Sequence, residues 1–551
     1  VSDRVGRATA IMAAGTVLSR ATGFIRAAVI AATLGLALTG DMFAVADALP
    51  AAMYTIVAGG VLNAVLVPQL VRAMKRDADG GEAYAQRLSS AVLLVLAVAT
   101  VLLVAAAPWV IGLYTSAEFD SPALAPQRDA IVMLARFTLA QVFFYGLYTL
   151  LGQMLNARGR FGPMMFAPIL NNVIAIAVFG GFLIMMGPLD PRAGEFTDGQ
   201  VVWFGLGSTL GIVAQALVLL PVLHRSGLRL KLRTDLRGVG LGKAFRLGAW
   251  TVALIAIMQL TQIVVIRLAT SATAVAAATD VERGAGIAVY NNAFLIIMVP
   301  HSIITVSLAT ALLPDLSRTA AAAQTEVLRS RIMDALRIAL AIIIPFAGLL
   351  AALAGPISRL LFGYGAASPD VDLIALTLAL FVPGLIGFTT TYLVQRAFYA
   401  QEDTRTPVLV QLVVSTVQIA LSVTLVPRID PELVSAALAG FWSVATLTGA
   451  LASLWLLHRR LGRLGGLRFT GYVAAVTLAA LPGSVVALCV TLRNPEVSVG
   501  SSLGALLTIV GCTAFSALLY VLVAWLIRIG PVRDGVAYGT RFIRARIGAR
   551  R

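Results

Sequence analysis

The chain has 551 residues, of which 59% are apolar and only 12% charged, and its mean hydropathy is +0.91. Soluble domains carry roughly 25% charged residues, so soluble-enzyme classes are set aside; Cys489 and Cys512, both inside apolar blocks, exclude a disulfide framework and a Cys-based zinc cage, and His224, His301 and His458 are too scattered for a metal site. The net charge of +16 reads as membrane orientation rather than nucleic-acid binding, because the basic residues collect beside apolar blocks.

Those blocks are about 20 to 30 residues long, past the roughly 20 needed to cross a bilayer. They fall at 8–36, 42–71, 88–114, 129–156, 163–187, 201–223, 244–270, 284–313, 333–362, 372–396, 407–427, 432–457, 469–492 and 502–527. Strands of a transmembrane barrel would alternate over about 10 residues, and no such pattern is present. The expectation is an all-α polytopic membrane protein with fourteen transmembrane helices. With the N-terminus in the cytoplasm, 31 of the 42 Lys and Arg lie in or beside the termini and even-numbered connections, while Arg128, Arg192, Arg283, Arg428 and Arg493 alone lie opposite, among acids such as Glu118, Asp120 and Asp190. This asymmetry puts both termini inside.

Block 1 has no cleavage signature and carries Arg20 and Arg26 in SRATGFIR, so it is a span and not a signal peptide. Each arginine costs about 2.5 to 3.5 kcal/mol at a helix centre on insertion scales, and a six-residue spacing sets them about 120° apart on an ideal helix. A bend at Gly23, with Gly15 preceding it, would let both converge on one anion. The alternative is an arginine pair satisfied by backbone carbonyls and Asp47. Block 2 opens at Asp41, a gate partner for an arginine or a helix N-cap, and carries Asp47 deeper, before Pro50 and the Gly59-Gly60 pair. Arg136, Arg267, Arg337 and Arg359 lie nearer block ends, where snorkelling makes them anchors.

Two landmarks recur along the chain. VPQLVR at the end of block 2 (Pro68 to Arg72) returns as LPDLSR at the end of block 8 (Pro314 to Arg318), and LNARGRFGP before block 5 returns as FYAQEDTRTP before block 11. The offsets imply two six-helix lobes around a central cavity, related by an axis along the membrane normal, with blocks 13 and 14 as two extra C-terminal helices. The organisation is an N-lobe over 1–225, a C-lobe over 226–460, an appendage over 461–530 and a basic cytoplasmic tail over 531–551. No HExxH, Walker loop or GxSxG stands in a usable context, so the chain reads as a transporter and not an enzyme. The second half holds no acid deep in a block; Asp334 lies at a cytoplasmic end. Coupling is then left to a cation at Asp47 or to the membrane potential acting on the arginines. No cofactor is expected.

SRATGFIR, TGDMFAVADALP (Thr39 to Pro50), GGVLNAVLVP (Gly59 to Pro68), LNARGRFGPMMFAP (Leu155 to Pro168), SLATALLPDLS (Ser307 to Ser317) and FYAQEDTRTPV (Phe398 to Val408) together resemble the MurJ/MviN lipid II flippases along nearly the whole chain. The resemblance implies the fold of the multidrug/oligosaccharidyl-lipid/polysaccharide exporter superfamily, and a lipid-tail groove made by blocks 13 and 14. It implies movement of the undecaprenyl-pyrophosphate-linked peptidoglycan precursor from the inner to the outer leaflet of the plasma membrane by alternating access. Arg20 and Arg26 match essential family arginines, and Asp41 matches an acidic position near the outer gate.

There are also departures. Tyr54 stands after the block 2 proline where many members have arginine, and Leu295 replaces the block 8 arginine, leaving Asn291 and Asn292 as neutral replacements. The family's sodium-coordinating acid of block 11 is missing, with Gln411 and Gln418 the strongly polar side chains there. The Ala- and Arg-rich composition fits a high-GC actinobacterium, whose members often carry a pseudokinase-like domain after the last helix; a chain opening on Val1 and closing in RFIRARIGARR is consistent with a segment of such a protein. Lipid II and membrane lipids are the expected partners of a monomer, with cell-wall synthesis or division proteins reached through the cytoplasmic tail. The alternatives are a flippase for another polyprenyl-pyrophosphate-linked saccharide, and a non-transporting scaffold for cell-wall enzymes.

Overall fold

A computed structural model describes residues 2–56, 82–227, 231, 233–235, 249–279, 283–495 and 501–534. Among them there is no strand. The first helices are α1 (Ser2–Leu34), α2 (Leu38–Tyr54), α3 (Glu82–Ala105), α4 (Ala107–Tyr114), α5 (Ala125–Leu139), α6 (Gln141–Ala157), α7 (Gly162–Met186), α8 (Asp198–Leu217), α9 (Leu219–Arg225) and α10 (Ala249–Thr279). They are followed by α11 (Ile287–Pro300), α12 (Val306–Ala321), α13 (Thr325–Ala352), α14 (Ala354–Phe362), α15 (Val371–Ala400), α16 (Arg405–Leu425), α17 (Val434–Leu461), α18 (Gly466–Arg493) and α19 (Ser502–Leu526).

Thirteen stretches of described residues are long and apolar enough to cross a bilayer, and they fall on thirteen of the fourteen expected blocks. Only helices or closed barrels satisfy every backbone polar group in hydrocarbon, which is why nearly all of this apolar sequence is helical. The remaining block, 42–71, is described only to Ile56. The Gly59-Gly60 pair, VPQLVR, Asp280, most of the connection from Arg225 to Arg246 and the tail from residue 535 lie outside the described residues.

The second pair of repeat landmarks folds in the same way twice. After α6, the amides of Arg158, Gly159 and Arg160 donate to the carbonyls of Leu155, Asn156 and Leu155; after α15, those of Gln401, Glu402 and Asp403 donate to Phe398, Tyr399 and Phe398. Each is a helix C-cap with one left-handed residue, Gly159 at φ 74° and Glu402 at φ 58°. A proline at the start of the next helix, Pro163 in α7 and Pro407 in α16, follows each cap.

Contacts divide the chain into two compact units, one of Val1–Ala288, Tyr364–Asp370 and Asp430–Val434, the other of Val289–Gly363, Val371–Ile429 and Ser435–Arg551. The sequence boundary at 225/226 assigns α10 to the second lobe, whereas by contact α10 goes with the first unit. The reason lies in four of its side chains. Gln259 donates to Ala52 O (3.0 Å), Arg267 to Gly112 O (2.8 Å), Thr270 to Tyr114 O (3.5 Å) and Thr273 to the Asp41 carboxyl (2.7 Å).

In the first unit α1 lies along α7, so closely that a Cβ on Gly15 would stand 3.0 Å from the Phe166 ring. Phe43, Phe179, Phe182 and Phe204 form its aromatic core, with Phe179 and Phe204 stacked at 4.9 Å. The connection after α7 is tied to the start of α2: the Thr39 hydroxyl donates to Asp190 O (2.7 Å) and accepts from Gly194 N (3.1 Å). In the second unit α13 packs between α15 and α18, and the hydroxyls of Tyr472 and Tyr520 donate to Arg337 O (2.7 Å) and Ala341 O (2.6 Å) on α13.

Candidate functional site

α1 is one uninterrupted helix through Gly15 and Gly23, and its two arginines share no partner among the described residues. Arg26 Nη2 meets the Asp47 carboxylate of α2, 3.0 Å from Oδ2 and 3.3 Å from Oδ1. Arg20 is exposed, with no hydrogen bond or ion pair to any described residue. Between them, Asn172 of α7 donates from Nδ2 to Ser19 O and to the Thr22 hydroxyl, both at 3.0 Å. This side chain fixes the turn of α1 that separates the two arginines.

Around the pair, the Tyr54 hydroxyl donates to Thr149 Oγ1 (2.7 Å), and its ring stacks on Tyr145 with centroids 6.0 Å apart. Tyr145 is near enough to feel both the Asp47 and the Arg26 charge. Tyr54 is therefore held in a polar and aromatic patch of α2 and α6.

Asp41 is 1% exposed. Among the described residues it pairs with no arginine, and it is the fourth residue of α2 rather than its cap. Its Oδ2 accepts from the Thr273 hydroxyl and its Oδ1 from the Ala288 amide, both at 2.7 Å, and the Ile287 amide also donates to it. Asp41 thus caps the N-terminus of α11, a helix far along the chain, where free amides and the helix dipole favour a carboxylate. Gly286 is required at this contact, since a Cβ there would stand 1.7 Å from Oδ2. Arg283 lies three residues earlier and binds Asp370 (3.1 Å), Glu432 (3.2 Å) and Pro369 O (3.1 Å).

In the second unit Asn291 and Asn292 stand half-buried on α11. Gln411 donates to Ser415 Oγ (3.1 Å) and Gln418 is hydrogen-bonded to Tyr290, so both glutamines of α16 have neutral partners within the unit. Arg267 donates to Gly112 O at 2.8 Å and Arg337 to Asp334 at 3.0 Å. A groove of about 960 Å³ runs between α13, α18 and α19, lined by residues such as Ala341, Pro345, Phe346, Ser484, Ala517 and Tyr520, with Asp334 and Arg337 at one end. Its walls come from blocks 9, 13 and 14.

The sequence reading missed Asn172, Tyr145 and Arg283 as structural partners of these groups. The signal for Asn172 was available, since Asn171-Asn172 is a polar pair inside an apolar span, costly unless satisfied. Tyr145 and Arg283 depend on which helix ends and connections meet, which spacing does not encode.

A many-span helical protein with a carboxylate-paired arginine in its first span and an apolar groove ending in charges is built as a membrane transporter of lipid-linked or amphipathic cargo. A family model described as lipid II flippase MurJ matches residues 30–508, and the chain belongs to that family. The match begins after Arg20 and Arg26. The chain is 27% identical over 427 residues to the lipid II flippase MurJ of Burkholderia cenocepacia, covering 77% of this chain and 78% of that one, and 24% identical over 525 residues to the probable lipid II flippase MurJ of Rhizobium tropici, covering 93% and 92%. Among solved structures, a lipid II flippase MurJ in an inward closed conformation matches with a TM-score of 0.71 at 16% identity, over 95% of this chain and 99% of that one. An inward-facing multidrug resistance MATE family transporter of the MOP superfamily matches with a TM-score of 0.63 at 16% identity, over 81% and 96%. The fold is that of this transporter superfamily.

Proposed function

We propose that the protein carries lipid II from the inner to the outer leaflet by alternating access, with both termini in the cytoplasm. Membership of the flippase family supports the substrate, and the observation that carries the site is the Arg26–Asp47 pair, a guanidinium already held in place by a carboxylate that a phosphate can displace. Arg20 and Arg26 bind the pyrophosphate by charge-assisted hydrogen bonds. Tyr54, Asn291 and Asn292 serve as neutral contacts where the family places arginines, and the polyprenyl tail runs in the groove of α13, α18 and α19. Asp41 acts at the outer gate, and the cycle draws on a cation or on the membrane potential.

The test is the leaflet exposure of labelled lipid II in cells depleted of the protein and in vesicles reconstituted with it. Outer-leaflet exposure should fall on depletion and rise on reconstitution. Exposure that stays the same in both would exclude transport and leave a scaffold for cell-wall enzymes.

A further inference from the structure

Block 8 passes from α11 into α12 through one five-residue π-turn, His301–Thr305, directly after Pro300. A π-turn interrupts the α hydrogen-bond ladder, and such turns are frequent at functional positions. His301, its first residue, is 6% exposed, while His224 and His458 are exposed near helix ends. The His301 ring lies 4.5 Å from the Phe388 ring and 5.0 Å from the Tyr392 ring, both on α15. The last residue of the turn, Thr305, is hydroxyl to hydroxyl with Thr389 at 3.2 Å. Both ends of the turn therefore rest on the same stretch of α15.

Among the described residues of the elements packed on the turn, few are charged or titratable. On α15 they are Tyr392 and, one turn further, Arg396, whose guanidinium lies 4.2 Å over the Tyr392 ring and 5.5 Å from Tyr399. On α13, which also packs on the turn, the charged residues end at Arg337, and the buried positions beyond it include Ile343, Ile344 and Ala347. α11 carries no charged residue, and the first on α12 is Asp315. No carboxylate stands near the middle of a described span in this unit.

Imidazole is the side chain whose ordinary titration falls between pH 5 and 8. An imidazolium at this position lies within cation–π distance of the Phe388 and Tyr392 rings and is opposed by burial and by the Arg396 charge over Tyr392. The balance between these depends on how the turn sits against α15. We infer that His301 is the proton-binding group that couples the transport cycle, its protonation selecting one packing of the 301–305 turn on α15 and its deprotonation the other. Hydronium on one side of the membrane gives its proton to the imidazole lone pair, an O–H bond breaking as the N–H bond forms, and the reverse transfer to water on the other side restores the neutral ring. This inference rests on the transport reading above.

Two measurements on the full chain test it. With His224→Gln and His458→Gln, His301 is the only imidazole left, and carbon-13 histidine NMR follows its protonation directly. It should titrate between pH 5 and 8; a resonance constant over that range overturns the proposal, whatever the transport assay gives. In vesicles with labelled lipid II, a one-unit pH gradient should change the flipping rate by up to about tenfold, and in His301→Gln the ratio of rates with and without the gradient should fall to one. A gradient response retained by His301→Gln, or absent from the unsubstituted protein, also overturns it. Absence of any flipping by the unsubstituted protein would count against the transport reading instead, while the titration still decides His301.

Discussion

The Arg26 guanidinium sits 3.0 Å from the Asp47 carboxylate, and the two side chains keep 21% and 30% of their surface accessible. A fully buried pair would be locked, because separating it strands a charge; this one can exchange partners. Asp47→Asn should free Arg26 for pyrophosphate and tighten lipid II binding by about 1.5 kcal/mol, roughly tenfold, while slowing release. Equilibrium binding and dissociation of labelled lipid II read both. If Asp47 instead takes up a driving cation, affinity stays unchanged and ion dependence is lost, so the same variant separates the two roles.

Arg20 and Arg26 should differ when each is replaced by Ala. Arg20 bonds to no described residue, so Arg20→Ala should leave thermal stability within about 0.5 kcal/mol while abolishing transport. Arg26→Ala strands Asp47 and should lower both stability and transport, with Asp47→Asn in the same chain restoring the stability alone. Melting curves beside flipping rates make the comparison, and equal melting losses for the two single variants would remove the distinction.

The cradle of Asp41 should be intolerant of one added carbon. A Cβ on Gly286 collides with Oδ2 at 1.7 Å, so Gly286→Ala expels the carboxyl from the amides of Ile287 and Ala288 and from Thr273. Each such bond is worth about 1 kcal/mol or more, so the loss should reach several kcal/mol. Adding Asp41→Ala makes room for the new methyl, and the double variant should be less destabilised than the sum of the singles, the mark of directly coupled sites. Additive losses would show that the contact is not what requires glycine here.

What could be read from the sequence follows from the range of each interaction. Apolar blocks report the bilayer, a solvent of fixed thickness, so thirteen blocks recur as helical spans, with ends displaced by up to ten residues. The recurrence of LNARGRFGP as FYAQEDTRTP was legible because the helix C-cap that each forms is set by neighbours a few positions apart. Arg26 and Asp47 were singled out as costly charges in apolar surroundings, and they do meet. By contrast, the partners that Asp41 has here, Thr273 and the amides at 287 and 288, lie on helices remote from it in sequence. Helix-to-helix pairing over more than 200 positions leaves no local pattern.

The cap after α15 offers a last test, through the acid limb of stability. Asp403 is partly buried, which alone would raise its carboxyl, but the hydroxyl and amide of Thr406 (2.7 and 3.1 Å), the Arg460 guanidinium and the Arg405 amide (3.0 Å) outweigh that and hold it below the usual aspartate range. A carboxyl lowered on folding adds stability that is complete above its unfolded value, about 3.9, and disappears as pH falls through the folded one. Asp403→Asn should therefore lower the melting temperature at pH 7 and flatten its decline below about pH 4. Glu402, beside it, holds a left-handed conformation at φ 58° where the first half uses Gly159. Such a backbone costs a residue with a Cβ roughly 1 kcal/mol or more, so Glu402→Gly should raise stability by about 1 kcal/mol and Gly159→Ala lower it by a similar amount. Melting curves at pH 7 and pH 4 read all three variants. An Asp403→Asn curve parallel to the unsubstituted one at both pH values would mean that the four donors do not favour the ionised carboxyl.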